Sequence, residues 1–255
     1  MKYDFIMDDF VWSYSRIGQY EQCPYGFLLK YIKGEKPVKH FFSEYGKLAH
    51  EILAEYYKGA ESKEKCLMEY VGRFNVIRNF RTPNRKIVTT YFKNGFDYLK
   101  NLDDEIKNVT DVEMRRPFCV DGIACQGIVD LIKNVNGDLV LIDHKSRTLK
   151  PRSNRAVPTA GDKELDKYLR QLYVYGNIVK DVYKKFPDKL AFNCFRENQE
   201  IIEPFQKEKF DEAQKWLSDN VTKIREESEW RPDPEWFKCN FICDMRDSCE
   251  YVKYI

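Results

Sequence analysis

Gly127-Ile128-Val129-Asp130-Leu131-Ile132-Lys133-Asn134-Val135-Asn136-Gly137-Asp138-Leu139-Val140-Leu141-Ile142-Asp143-His144-Lys145 is the stretch that decides how this chain folds. Val, Ile and Leu crowd two runs on either side of Asn136-Gly137, a dipeptide suited to the positive φ angles of a tight hairpin turn. The spacing predicts two antiparallel strands, Ile123 to Val135 and Asp138 to Ile142. Counted outward from the turn, Asp130 and Asp143 are equidistant from its centre, so they face each other across the hairpin. Acids rarely sit in such apolar company without a partner. Two hard oxygen ligands at one point suit Mg²⁺ or Mn²⁺. Lys145 emerges on the same strand face as Asp143, because strand side chains alternate.

An acid, a lysine and a cation at one site could support phosphodiester hydrolysis: the ion polarises the phosphate while the ammonium orients a water or offsets developing charge. As a bare pattern, Asp-x-Lys also occurs by chance as a salt-bridged strand end. His50 lies mid-helix among apolar neighbours, where it is either a satisfied core histidine or a nitrogen ligand for the same ion. Gln171 and Tyr175, four apart, stack on one helical face and could present an amide and a phenol to a strand backbone, or be ordinary packing.

Outward from this hairpin, helical periodicity runs from Ser13 or Ser15 through Tyr31, from Ser43 through Tyr57, and over about 64–80 and 86–103. A further strand, Val109 to Val120, enters through the turn signal Asp121-Gly122. A polar loop near 150–162 leads to a helix from Glu164 to Phe186, a strand pair near 189–195 and 199–203, and a last helix from about 206 to 228. The order predicts an α/β fold, a mixed sheet flanked by helices, in a single domain over 1–255: a helical part 13–106, a core 109–204 and a C-terminal helix with a cysteine cluster, 206–255.

A net charge of +2 leaves any affinity for nucleic acid to local clusters of Lys and Arg. One such cluster is Lys145-Ser146-Arg147-Thr148-Leu149-Lys150-Pro151-Arg152-Ser153-Asn154-Arg155, five basic residues without an acid, which could track a phosphate backbone or simply be a solvated loop. Tyr14, Tyr20 and Phe27 could stack on bases, though their helical spacing fits a core. Asp8 and Asp9 interrupt the apolar run a signal peptide needs, and no segment approaches membrane-spanning length, so a cytoplasmic location is expected. Eight cysteines there are not a disulfide framework. Cys239, Cys243 and Cys249 crowd the C-terminus while Cys23 stands near the start, an asymmetry that asks for a soft-metal reading, Fe–S or Zn²⁺.

These motifs, in order, resemble the RecB-like branch of the PD-(D/E)XK nucleases, which includes CRISPR-associated iron–sulfur exonucleases and the nuclease domain of AddB-type proteins. The resemblance runs nearly end to end: Ser13-Tyr14-Ser15 through Tyr20-Glu21-Gln22-Cys23-Pro24, Gly46 with His50, Gly127 with Asp130, Asp143-His144-Lys145, Gln171 with Tyr175, and the terminal cysteines. It implies a restriction-endonuclease-like fold in which His50, Asp130, Asp143 and the His144 carbonyl bind the metal and Lys145 is catalytic. Gln171 and Tyr175 would support substrate positioning; separately from the resemblance, the place of the basic run directly after Lys145 makes Arg147, Lys150 and Arg152 the candidate DNA contacts. The resemblance also implies a [4Fe–4S] cluster on Cys23, Cys239, Cys243 and Cys249 that joins the termini. The three residues between Cys239 and Cys243 exceed the family's usual two and leave Zn²⁺ open. The implied activity is exonucleolytic digestion of single-stranded or frayed DNA, as a stand-alone phage or CRISPR-linked enzyme. The alternatives are a non-catalytic DNA-end-binding subunit of a repair or spacer-acquisition complex and an RNase on the same framework. No Gly-x-x-x-x-Gly-Lys-[Ser/Thr] is present, so a helicase would be a separate partner, as would a CRISPR integrase-type protein.

Overall fold

Both hairpin turns form as their dipeptides predict. Asp121 and Gly122, and again Asn136 and Gly137, take positive φ at both central positions, the twist that antiparallel neighbours require. They connect β1 (Val109–Val120), β2 (Ile123–Val135) and β3 (Asp138–His144) in the computed structural model, which describes residues 3–102 and 106–254. The Val120↔Ile123 and Val135↔Asp138 pairs close two-residue loops and set the registers beyond them, up to a one-residue shift between Val109 and Asp111 at the far end of β1. β4 (Lys189–Cys194) then joins β3 in parallel and β5 (Gln199–Pro204) closes antiparallel, giving a five-stranded mixed sheet in the order β1-β2-β3-β4-β5.

β2 outruns β3. Its first half instead takes Trp12 as a lateral neighbour, whose N–H donates to the Ala124 carbonyl and whose carbonyl accepts from Gln126. Trp12 is fully buried there, so the segment after the short α1 (Asp4–Met7) is fixed to the sheet.

The helices at the N-terminal end depart from the predicted single run. α2 (Tyr14–Gln22) stops at Cys23, whose extended φ of −167° breaks the helix, and α3 (Pro24–Phe27) restarts with Pro at its first position before a π turn over Leu28–Ile32. α4 (Phe41–Tyr57) begins before Ser43, because His40 is the N-cap: its Nδ1 accepts the Ser43 N–H at 3.2 Å and Ser43 closes the capping box. α5 (Lys63–Ile77) and α6 (Arg85–Lys100) pack on α4 around Phe41, Tyr45, Tyr70 and Phe74. The predicted tail of α6, at 103, lies outside the described residues.

α7 (Ala160–Tyr183) is the crossover between β3 and β4. A capping box of Thr159 and Asp162 starts it, and its stripe of Leu165, Leu169, Leu172 and Ile178 enters the main core with α8 (Lys207–Glu226). Each such fully buried side chain contributes about 1.5–3 kcal/mol over an exposed one. Tyr20 and Phe27 belong to the same core and are closed to solvent, so they are packing residues and not stacking surfaces. No helix among the described residues is long and apolar enough to cross a membrane.

Candidate active site

Asp130 and Asp143 stand one step beyond the last β2–β3 pair, Leu131↔Ile142, in the register the turn dictates. Where the ladder stops, the Asp130 side chain replaces it: Oδ2 accepts the His144 backbone N–H at 2.8 Å. Asp143 is almost fully buried, and Lys145 Nζ lies 2.7 Å from its Oδ2. The Lys145 ammonium also donates to Gln171 Oε1 at 3.0 Å, so it is held between Asp143 and α7.

His50 arrives from α4. The apolar side of that helix, Tyr45, Leu48, Ile52 and Tyr56, is buried, which turns the stripe Lys47, His50, Glu51, Ala54 and Lys58 toward an open cleft. His50 Nδ1 is 3.3 Å from Asp130 Oδ2. Burial works against its charge, but the hydrogen bond and proximity of Asp130 outweigh that and hold its pKa up at about 9. Burial likewise pushes Asp130 upward, yet His50 and the His144 N–H bring it down to about 2. Asp143 moves the other way: burial and the neighbouring Asp130 raise it despite Lys145. The two carboxyl groups are thus driven apart.

Glu113 is the site residue that the sequence reading missed. Counting outward from Asp121-Gly122 sets Glu113 opposite Asp130, between the pairs Val112↔Leu131 and Met114↔Val129. The same arithmetic that joined Asp130 to Asp143 therefore carried the signal for a third carboxylate, on a third strand. Glu113 sits in the left-handed region at φ 51°, a conformation a non-glycine residue adopts at a cost of about 1–3 kcal/mol. One ligand atom each from His50, Glu113 and Asp130 lies within 4.8 Å of the others. Two carboxylates and an imidazole so spaced, with the Asp143 carboxyl next in the row, fit a divalent cation.

α7 supplies the opposite wall. Gln171 and Tyr175 both line the cleft, and burial raises the Tyr175 phenol so that it remains a donor. A Cβ on Gly127 would fall 2.7 Å from a Tyr175 ring carbon, so glycine is what lets α7 approach β2 this closely. Of the basic run, Lys145 and Arg147 reach the cleft and Lys150 and Arg152 do not. Arg152 is forked between Asp166 at 2.7 Å and Glu203 at 2.9 Å, and Lys150 is exposed beside Gly161. The His144 ring, buried and stacked on Tyr57, accepts from Asn193 at its Nδ1, and burial holds it neutral with a pKa of about 3.

Cys23, Cys239, Cys243 and Cys249 line one small pocket. Cys23 Sγ accepts the Gly26 N–H at 3.4 Å and the Asp233 N–H at 3.5 Å. The surplus residue between Cys239 and Cys243 is absorbed by a π turn over Lys238–Ile242, closed by the Cys243 N–H on the Lys238 carbonyl at 2.8 Å. Burial raises the Cys243 thiol to about 11 and shifts Cys249 upward too. Among the described residues, no three of these sulfurs come within 4.8 Å of one another.

The family model described as the PD-(D/E)XK nuclease superfamily matches residues 11–250. A comparison with curated proteins finds no match.

Proposed function

The chain belongs to the PD-(D/E)XK nuclease superfamily, of metal-dependent nucleases, and from that premise we propose that it is a Mg²⁺- or Mn²⁺-dependent deoxyribonuclease of the RecB-like iron–sulfur branch, digesting single-stranded or frayed DNA from an end. The observation that carries this reading is the row of Glu113, Asp130 and Asp143 on three adjacent strands, with His50 above it and Lys145 between Asp143 and Gln171.

A divalent ion held by His50, Asp130, Asp143 and Glu113 would polarise the phosphodiester. Lys145, oriented by Gln171, aligns the attacking water and offsets charge on the phosphate oxygens as the bond breaks. Tyr175 keeps its proton and so donates, and Arg147 at the cleft rim meets the backbone of the strand. The cysteine pocket would hold a [4Fe–4S] cluster whose work is structural, tying residue 23 to the last turn of the chain.

The test is cleavage of end-labelled linear DNA, closed single-stranded circles and matched RNA by anaerobically purified protein, with Mn²⁺, Mg²⁺ or EDTA. Release of label from linear DNA with metal, sparing of the circles, and a loss of about 100-fold or more in Asp143→Ala and Lys145→Ala are expected. A folded protein that cleaves nothing with either metal, or variants that cleave at the parental rate, would overturn the assignment. Cleavage of RNA alone would make it a ribonuclease.

A further inference from the structure

On the nuclease reading above, we infer that Tyr168 is a positioning residue whose ring face sets Lys145 and Arg147 side by side, so that the two cations engage neighbouring phosphates of one strand. The Lys145 ammonium lies 5.4 Å and the Arg147 guanidinium carbon 4.7 Å from the centre of this ring. A cation is drawn to the electron-rich face of an aromatic ring, more so in a partly desolvated cleft. Tyr168 is half-buried in the cleft wall, one turn before Gln171 on the same helical stripe, and its ring meets Phe192 edge-on at 6.4 Å. Phe192 stands on β4 directly beside Asp143 and lies 5.6 Å from the same ammonium. The ring is therefore braced from beneath by the sheet.

β3 ends at His144, so Arg147 lies beyond the ladder, where strand pairing no longer fixes its side chain relative to Lys145. The shared ring supplies that spacing. Glu164, one turn before Tyr168, holds the Arg147 guanidinium at 2.8 Å until a phosphate displaces it.

The experiment installs phenylalanine and its mono-, di- and trifluorinated forms at position 168, which withdraw the ring's charge while keeping its shape, and sets them beside Tyr168→Leu and Arg147→Gln. Cleavage kinetics are read on a short single strand, and binding is read with Ca²⁺ as a function of salt. Tyr168→Phe should stay within about 2-fold of the parent. Across the fluorinated series kcat/KM should fall progressively, by about 5- to 30-fold in all. Tyr168→Leu and Arg147→Gln should each reduce the slope of log affinity against log salt by about 0.7, the share of one phosphate contact. A flat fluorinated series, or an unchanged salt slope in Tyr168→Leu, would overturn the role of the ring. The binding arm needs no turnover, so a parent protein that binds but does not cleave would defeat the nuclease reading while the slope still decides this one.

Discussion

His50 holds a proton against the Asp130 carboxylate 3.3 Å away, and that proton would compete with a cation at the proposed site. Because the folded His50 is raised to about 9, the stability this contact contributes is fully present below the ordinary histidine range and fades as pH rises through about 9. Asp130, depressed to about 2, contributes above the ordinary carboxylate range and loses that contribution only as pH falls through about 2. A divalent ion bound through His50, as proposed, would have to displace that proton. Mn²⁺ affinity, measured by calorimetry, should therefore rise about tenfold per unit from about pH 6 to about pH 8. His50→Gln should flatten that dependence, and a parent protein with a pH-independent affinity would remove His50 from the ligand set. Most of this site was readable from two turns and a counting rule, which set Asp130 against Asp143 and would equally have set Glu113 against Asp130. The captures of Arg152 by Asp166 and Glu203 were not readable, since Glu203 lies 51 residues away in sequence and meets it only through the fold.

β2 and α7 meet where Gly127 faces Tyr175 and Ile178, and this contact fixes how far Gln171 stands from Lys145. Gly127→Ala would place its methyl 2.7 Å from Tyr175 and 3.0 Å from Ile178 Cδ1, so α7 must yield. The expected cost is about 1–3 kcal/mol, or a fall of several degrees in melting temperature. Activity assayed well below that melting point should fall too, because the displaced helix carries Gln171. Gly72 is the control: it lies inside α5 with nothing within 4 Å of a built Cβ, and Gly72→Ala should raise stability by up to about 1 kcal/mol. Equal behaviour of the two variants would show that the close approach at Gly127 is not what locates α7. The long elements were visible in the sequence because each buries a continuous periodic stripe. Their interruptions were less so: Cys23 breaks the first helix by acting as a cap, and π turns at Leu28–Ile32 and Lys238–Ile242 leave the hydrophobic pattern almost untouched.

The N- and C-terminal segments are also docked by protein contacts beside the cysteine pocket. Lys30 pairs with Asp244 at 2.5 Å, the Val38 N–H donates to the Asp244 carbonyl at 2.7 Å, and the Tyr25 hydroxyl donates to Glu250 at 2.9 Å. Tyr25 also meets Tyr251 edge-on, with ring centres 4.9 Å apart. The four cysteines are thus brought to one pocket by the fold, and a cluster bound there would lock an arrangement already formed, not create it. With the proposed [4Fe–4S] cluster in that pocket, the parent should carry about four iron atoms per chain, and Cys239→Ser should lower that content and the melting temperature while keeping the helical spectrum and measurable cleavage at low temperature. Complete unfolding of that variant would mean that the docking contacts are too weak to hold the ends alone. Zinc at about one atom per chain, with no iron in protein purified without oxygen, would replace the proposed cluster with a tetrahedral thiolate site on the same four cysteines.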